Sequence, residues 1–137
     1  MFSEQLMKLT NDALAHDIEA QMTDNSMNIR LLEKYQSNSI KDIHYRYNLQ
    51  EDAIQEEMDE LDINSDEYAQ LKEELQDLKE LEDQEVSQVE NETADKETPL
   101  QTENDYLETK LEAIKADNEA LDEAIKQDID DNFGYFQ

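Results

Sequence analysis

Large apolar side chains recur every seven residues over positions 100–125, and this spacing most constrains what the chain can fold into. Seven residues make almost two turns of an α-helix, so side chains with this spacing form one stripe along its surface. The stripe consists of Leu100, Leu107, Ile114 and Leu121 at one position of the repeat, and Leu111 and Ile125 at the other. Asn104 and Asn118 share that other position. We expect an amphipathic helix over residues 99–137 that buries this stripe.

A second seven-residue repeat occupies the middle of the chain. Its first position is held by Ile40, Tyr47, Ile54, Leu61, Tyr68 and Leu75. Its second position is held by Ile43, Gln50, Glu57, Asn64, Leu71 and Leu78, and is therefore polar in the middle. One continuous helix over residues 39–90 fits this pattern, and so do two helices with a break near 62–65.

We favour the break, because the residues around it have the pattern of a helix start. Asn64, followed three residues later by Glu67, matches a reciprocal N-terminal cap. Ile63 and Tyr68 stand where a hydrophobic staple would form. The sequence therefore predicts a helical hairpin in this region.

Glycine and proline, on which tight turns and β-hairpins depend, are almost absent from the chain. Gly134 and Pro99 are the only residues of their types. Only 36% of the residues are apolar and there is no tryptophan, which disfavours a large spherical core. The predicted fold class is all-α: an elongated helical hairpin or bundle with coiled-coil-like seams.

Polar runs divide the sequence into segments. "TDNS" and "SNS" interrupt the apolar pattern near the start, and "NETADKET" has no apolar residue larger than alanine. Pro99 suits the first turn of a helix with Thr98 as its cap, and Gly134 suits the end of that helix near residue 132. The predicted segments are short N-terminal helices over 1–38, the long hairpin over 39–90, an acidic linker over 91–98 and an amphipathic helix over 99–137.

Apolar residues in the first predicted helix form two neighbouring stripes. Leu6, Leu9 and Ala13 form one stripe; Leu14, Ile18 and Met22 form the adjoining one. Together they predict a single wide helical face.

Charges beside the two seven-residue repeats predict different pairings. A parallel pairing of the C-terminal helix with a second copy would join like charges, for example Lys110 with Lys115. This helix is therefore expected to pack antiparallel against another helix of its own chain or against a foreign one. The middle region would place Glu67 against Lys72, so it is compatible with parallel self-association.

The net charge is −27, from 38 acidic and 11 basic residues. Such a charge repels nucleic-acid phosphates and anionic membrane surfaces. We therefore expect a protein partner or self-association, with no nucleic acid and no membrane insertion. Without a secretory signal or a long apolar run, a cytoplasmic protein, or one exported without a cleavable signal, is predicted. The absence of cysteine excludes thiol catalysis and cysteine-ligated zinc.

Residues with catalytic or metal-binding chemistry are not convincingly arranged. His16 and His44 stand alone on separate predicted helices, and carboxylate pairs are too common here to indicate an acid–base dyad. One segment matches the ligand spacing of a calcium loop: Asp62, Asn64, Asp66, Gln70 and Glu73. Its sixth position is Glu67, where the turn requires glycine, so a helix cap is the preferred interpretation. We predict a protein that is not an enzyme, with no catalytic residue, no cofactor and no metal.

The segments "LDINSDEYAQLKEELQDL" and "LETKLEAIKADNEALDEAIKQDIDDNFGYF" resemble the long helices of bacterial proteins related to flagellar and type III secretion components. The resemblance covers roughly residues 55–137. It implies helices that pack into hairpins and that assemble into filaments or bind export partners. The strong acidity differs from a tightly packed filament subunit, which leaves an export chaperone as an alternative.

These features predict a structural or interaction protein that assembles through its helical apolar seams, in a secretion or surface apparatus. An acidic export chaperone or adaptor for a basic partner is one alternative. A DNA mimic, in which carboxylates stand in for phosphates, is another. The side chains expected to contact the partner are Leu100, Leu107, Leu111, Ile114, Leu121, Ile125, Ile54, Leu61, Tyr68, Leu71, Leu75 and Leu78.

Overall fold

The computed structural model describes residues 2–135, and the side chains of residues 3–132. It contains two helices, α1 (Phe2–Asp59) and α2 (Asp66–Tyr135), which pack against each other as a hairpin. No strand occurs in the described range, so the predicted all-α helical hairpin is confirmed. Within the same range, neither helix contains a stretch long and apolar enough to cross a membrane.

Contacts divide the chain into two compact units. Unit 1 combines Met1–Ile29 with Pro99–Gln137, and unit 2 is Arg30–Thr98. Each unit therefore pairs a part of α1 with a part of α2, and unit 2 also includes the turn that joins the helices.

The turn is held by hydrogen bonds among Asp62, Asn64 and Ser65. The Ser65 hydroxyl donates to the Asp62 carbonyl oxygen at 2.7 Å and accepts the Tyr68 N–H at 3.2 Å. The Asn64 N–H donates to Asp62 Oδ1 at 3.0 Å. Ser65 is therefore the N-cap of α2. The turn between the helices includes residues 62–65, where the break was predicted.

The cap lies one residue later than predicted. The Asn64 N–H donates to the Asp62 carboxylate, and it is the hydroxyl of the following residue, Ser65, that accepts the N–H of Tyr68. The predicted staple is wrong as well, since the Ile63 side chain is 74% exposed.

Helix α1 continues through both polar runs that predict its interruption, so the prediction of short helices over 1–38 is wrong. Neither run contains glycine or proline, and other polar residues cost a helix at most about 0.7 kcal/mol each. The first run also contacts α2. The buried Asn25 side chain donates to Asn104 Oδ1 at 3.0 Å, and Asn104 Nδ2 donates to Ser26 Oγ at 3.3 Å.

Helix α2 continues through residues 91–98, so the predicted acidic linker is wrong. Its threonines bond back to the helix. Thr93 Oγ1 donates to the Val89 carbonyl at 2.9 Å, and Thr98 Oγ1 donates to the Ala94 carbonyl at 2.8 Å. The Thr93 side chain is also buried, so this segment contributes to the packed face despite lacking large apolar residues.

Pro99 lies inside α2 and not in the first turn of a new helix, contrary to the prediction. Proline has no N–H, so it cannot donate the helical hydrogen bond to the Asp95 carbonyl. An interior proline costs a helix about 3 kcal/mol, which packing against α1 must offset. The helix also extends to Tyr135, past the end predicted near residue 132, and its backbone is helical at Gly134.

The two helices run antiparallel in unit 1. Their cross-helix hydrogen bonds join Lys8 to Asp122, Asn11 to Asn118 and Asn25 to Asn104. Between these bonds lies a core of Ile18, Leu107 and Leu111, with Ala15, Met22 and Ile114 packed against it. Burying a large apolar side chain stabilises a fold by about 1.5–3 kcal/mol. The C-terminal stripe is thus buried against a helix of its own chain, as one of the two predicted pairings requires.

In unit 2 the inward face of α1 departs from the predicted repeat. The predicted second-position residues Gln50 and Glu57 are exposed. The inward-facing residues of α1 are Ile43, Tyr47, Glu51, Ile54 and Met58, of which Glu51 and Met58 lie outside the predicted repeat. The steps from Ile43 to Tyr47 and from Tyr47 to Glu51 are both four residues, whereas a seven-residue repeat alternates steps of three and four. The extra step locally unwinds the winding of one helix around the other.

Candidate functional site

All twelve side chains predicted to contact a partner lie on the seam between α1 and α2. Leu107, Leu111 and Leu121 are buried, and the other nine are half-buried. Their role in binding a partner stays a prediction. Because the hairpin itself buries Leu107, Leu111 and Leu121, a partner could cover these three only by opening the seam. The large apolar side chains that are more than half exposed lie elsewhere.

Asparagines pair across the seam of unit 1. Asn25 Nδ2 donates to Asn104 Oδ1 at 3.0 Å, and Asn11 Nδ2 donates to Asn118 Oδ1 at 3.1 Å. Asn118 Nδ2 donates in turn to Asp12 Oδ1 at 2.9 Å. A shift in the alignment of the helices would leave these amides without partners, so they fix the alignment. The alignment that these amides fix is that of two antiparallel helices of the same chain.

Ionisable side chains interrupt the seam of unit 2. His44 Nδ1 lies 2.9 Å from Glu82 Oε2, and Glu82 is buried. Arg46 Nη2 donates to Glu85 Oε2 at 3.4 Å. Glu51 Oε1 is buried and has no hydrogen-bond partner among the described residues. This layer therefore gathers three carboxyl groups, one imidazole and one guanidinium.

The carboxyl group of Glu51 has a raised pKa. Burial is the largest cause, and the adjacent Glu82 carboxyl group is the next. The pKa of Tyr47 is raised as well, first by burial and then by the charge of Glu85. The layer therefore disfavours negative charge on Glu51 and on Tyr47, in contrast to the neutral amide pairs of unit 1.

Helix α1 has a second apolar stripe in unit 1, on the side away from the seam. It includes Leu6, Leu9 and Met27, all more than half exposed, with the exposed Ala13 and Ala20 between them. Leu9 precedes the buried Ile18 by nine residues, or two and a half helical turns, which places the two on opposite sides of α1. We call this stripe the outer face of α1 in unit 1.

A corresponding stripe lies on α1 in unit 2. It includes Leu31, Tyr35, Tyr45 and Leu49, each more than half exposed. We call it the outer face of α1 in unit 2. The sequence predicts one wide face for the first helix. The structure places the two stripes of that face on opposite sides of α1. Ile18 faces the seam, and Leu9 faces solvent.

Helix α2 differs from α1 in the character of its exposed residues. Helix α1 has 12 acidic and 5 basic residues, a net charge of −7, whereas α2 has 24 and 6, a net charge of −18. Nine of the thirteen exposed large apolar side chains within the described range lie on α1, and three lie on α2. One of those three, Tyr106, is partly covered by Lys110 Nζ, 5.5 Å from the ring centre. Most of the exposed large apolar side chains thus lie on α1, and most of the acidic residues lie on α2.

The candidate calcium loop does not form a loop. Helix α2 begins at Asp66, so Asp66, Gln70 and Glu73 lie along a helix. Among the described residues, no group of three or more His, Asp and Glu side chains is placed to hold a metal ion. The Ser65 cap accounts for the polar residues at this turn.

No protein-family model, curated protein or solved structure matches this chain. The resemblance to flagellar and type III secretion components therefore receives no support from these comparisons and stays a prediction. The structure itself supplies two candidate sites, which are the outer face of α1 in unit 1 and the outer face of α1 in unit 2.

Proposed function

We propose that this protein is a helical-hairpin interaction module that binds protein through the two outer faces of α1, one in each unit, and performs no catalysis. The observation that carries the proposal is the concentration of exposed large apolar side chains on one helix. Contiguous exposed apolar surface commonly marks a site of protein association. The seam is closed by contacts within the chain, so binding through the outer face leaves the hairpin intact.

The asymmetry of charge supports the same proposal. The acid on α2 keeps the chain soluble and repels other acidic surfaces. The lower charge of α1 makes its outer face the less repulsive side on which to approach the hairpin. Association through this face therefore has an apolar driving force and the smaller electrostatic cost. A place in a secretion or surface apparatus rests on the sequence resemblance alone.

The test replaces Leu9, Met27 and Leu31 together by glutamine. These side chains are exposed, so helix content and thermal stability should change little, because surface substitutions usually stay within about 0.5 kcal/mol each. The native mass of the chain in an extract of the cells that produce it should fall to that of one chain. The matched control, Leu81→Gln with Tyr106→Gln on α2, should keep the native assembly. A wild-type chain that already migrates as a monomer contradicts the proposal.

A second candidate function is an acidic adaptor for a basic protein, supported by the net charge of −18 on α2. In the same experiment this candidate predicts that the outer-face variant keeps the native assembly. It also predicts that high salt dissolves the assembly, because exposed charges more than about 10 Å apart are screened at 0.1 M ionic strength. These two outcomes together would favour α2 over α1 as the binding surface.

A further inference from the structure

We propose that the outer face of α1 in unit 1 binds an amphipathic helix of another protein, and that this helix carries basic residues on both sides of its apolar stripe. The inference rests on the proposed function and names the kind of partner that this face fits. Three features of the face support it: the spacing of its residues, the acids along its two edges and the small side chains at its centre. All of these residues lie in unit 1.

The outer face of α1 in unit 1 follows a seven-residue repeat of its own. The residues at its first position are Leu6, Ala13, Ala20 and Met27, and those at its second position are Leu9, His16 and Thr23. All seven side chains are exposed. Alternating steps of three and four residues keep this stripe on one side of α1, opposite the buried Ile18. The face therefore has the spacing with which one helix packs along a second helix.

Acidic residues line both edges of this face. Asp12 and Glu19 lie along one edge, and Asp17 and Asp24 lie along the other. These positions flank the seam in a two-helix coil, where opposite charges on the partner stabilise the pairing. All four side chains are exposed, and no lysine or arginine occupies either edge. A partner helix with basic residues at its own flanking positions therefore matches both edges, in a parallel or an antiparallel pairing.

Most of this acid is not used inside the hairpin. Asp17, Glu19 and Asp24 form no ion pair within the side chains described. Lys8 is the only lysine or arginine among residues 1–29, and it pairs across the seam with Asp122. Three carboxylates of the face are therefore available to a basic partner.

Small side chains lie at the centre of the face. Ala13 and Ala20 are exposed there, which leaves room for large side chains of a partner. Alternation of small and large side chains across facing positions allows two helices to interdigitate. Leu6, Leu9 and Met27, each more than half exposed, supply apolar contacts at the two ends of the face. We therefore expect large apolar residues on the partner where it meets the two alanines.

A second copy of the same face is disfavoured as the partner. Packed parallel, two copies would oppose residues five positions apart, so Asp12 would meet Asp17 and Glu19 would meet Asp24. Packed antiparallel, each acidic edge would meet the same edge of the other copy. Both directions join like charges, which destabilises the pair. The occupant therefore differs from this face in the sign of its flanking charges.

The net charge of the chain favours the same kind of partner. A charge of −27 attracts a basic helix from a distance and raises the rate of encounter. Helix α2 carries more of that charge than α1, but only three of the thirteen exposed large apolar side chains within the described range. Exposed ion pairs by themselves contribute little affinity. Apolar burial on α1 therefore determines where a basic amphipathic helix stays bound.

Binding of a synthetic peptide to the purified full chain tests the inference. The peptide has about three heptads, with leucine at the seam positions and lysine at the flanking positions, so that its own charges oppose self-pairing. A second peptide has glutamate in place of each lysine. Titration calorimetry should show binding of the lysine peptide and no binding of the glutamate peptide.

Charge reversal on the two edges of the face should weaken that binding. Asp17→Lys with Glu19→Lys places one repulsive residue on each edge, and should raise the dissociation constant of the lysine peptide at least about tenfold. Asp12 stays unchanged, because it accepts a hydrogen bond from Asn118 Nδ2 at 2.9 Å.

The matched control makes the same two changes on α2. Asp105→Lys with Glu112→Lys alters the net charge equally, at exposed positions outside the face. It should raise the dissociation constant much less. An equal loss in the two variants, or equal binding of the lysine and glutamate peptides, overturns the inference.

Removal of the apolar contacts should weaken binding as well. Leu9→Gln with Met27→Gln shortens the apolar stripe without altering the seam, and should raise the dissociation constant at least about tenfold. Leu81→Gln with Tyr106→Gln on α2 is the control and should bind the peptide like the wild type. A peptide that binds the variant at Leu9 and Met27 as tightly as the wild type is held by charge alone, and this result overturns the inference.

Failure of this inference is distinguishable from failure of the proposed function, which the native mass in cell extract reports. A native assembly that depends on the outer face but persists in Asp17→Lys with Glu19→Lys retains the function and replaces the basic helix by another partner. A purified chain that dimerises through this face by itself retains the function and replaces the basic helix by a second copy. A wild-type chain that is monomeric in the extract removes the function, even where the peptide binds.

Discussion

The two units interrupt their apolar seams with different polar chemistry. Unit 1 uses neutral amides, which bond to each other across the helices, such as Asn25 to Asn104. Unit 2 uses ionisable groups, among them His44, Glu51 and Glu82. Both devices resist sliding of one helix along the other, since buried polar groups require partners. In unit 2 the raised pKa of Glu51 makes that resistance depend on pH.

The difference indicates separate roles for the two layers. The Asn25–Asn104 pair specifies alignment under all conditions in which the chain is folded, because neither amide gains or loses a proton. The Glu51 carboxyl group of unit 2, whose pKa is raised first by burial, opposes its own burial while charged and is relieved when it takes up a proton. Unit 1 should therefore keep its alignment across a wider pH range than unit 2.

The largest effects should come from the apolar side chains beside the polar layers. Ile18→Ala in unit 1 and Met58→Ala in unit 2 remove equally buried side chains, each 3% exposed. Each should lower the free energy of unfolding by about 2–5 kcal/mol, through lost burial and an unfilled cavity. Urea titration followed by circular dichroism measures the loss. Hydrogen exchange should show the loss of protection centred on the unit that carries the substitution, and an equal loss in both units would contradict the division into units.

The amide layer should show the next largest effect. Asn104→Ala leaves the buried Asn25 amide without its acceptor and should cost about 1–3 kcal/mol. Asn25→Leu combined with Asn104→Leu should recover most of that stability, because both polar groups are gone. Thermal unfolding of the single and double variants measures this. A double variant less stable than Asn104→Ala would show that the amides contribute more than alignment.

The ionisable layer should respond to pH. The folded chain holds the Glu51 proton more tightly than the unfolded chain does, because the pKa of Glu51 is raised above its ordinary value of 4.5. Stability should therefore rise as pH falls from the raised folded pKa towards 4.5, and the full penalty should be present above that folded pKa. Glu51→Gln should stabilise the chain at pH 7 and lose its advantage near pH 4.5.

Glu56→Gln is the control for the pH effect. It removes the same charge from an exposed position of the same helix, so it reports the relief of overall repulsion alone. Chemical denaturation of both variants at pH 7 and near pH 4.5 separates the two causes. An equal stabilisation in both variants at pH 7 would assign the effect to net charge and not to the buried layer.

The smallest effect should come from the exposed ion pairs of the two units. Lys8 pairs with Asp122 in unit 1, and the pKa of Lys8 is raised first by its hydrogen bond to Asp122. Because this pair is solvated, Lys8→Met should change the unfolding midpoint only marginally, and salt should remove the difference. Arg46→Met in unit 2 should behave alike. A large change in either variant would mean that the pair is shielded from water.

Much of the seam was predictable from the sequence, because the spacing of Leu107, Leu111 and Ile114 allows one buried stripe on a helix. The turn was predictable as well, since short polar residues collect there. The continuity of α1 through Asn25 was not, because this residue favours a helix end until Asn104 gives it a partner across the seam. That partner is 79 residues away in sequence, beyond any local pattern.

The candidate site was the least predictable feature. Leu9 and Ile18 belong to adjoining stripes in the sequence, and neither stripe is marked as the one that will be covered. Packing of α2 against α1 buries Ile18 and leaves Leu9 exposed to solvent. The sequence therefore indicates the covered stripe on α2 but does not separate the two stripes on α1.

The pairing within unit 1 has a consequence for how the chain is made. Asp122 emerges from the ribosome 114 residues after Lys8, its partner. At about 5–20 residues per second, the nascent early part of α1 waits on the order of ten seconds for its complement. During that interval both apolar faces of the early part of α1 are exposed to chaperones and to other nascent chains on the same messenger RNA. Translation speed is thus a quantity to which the yield of correctly paired hairpin should be sensitive.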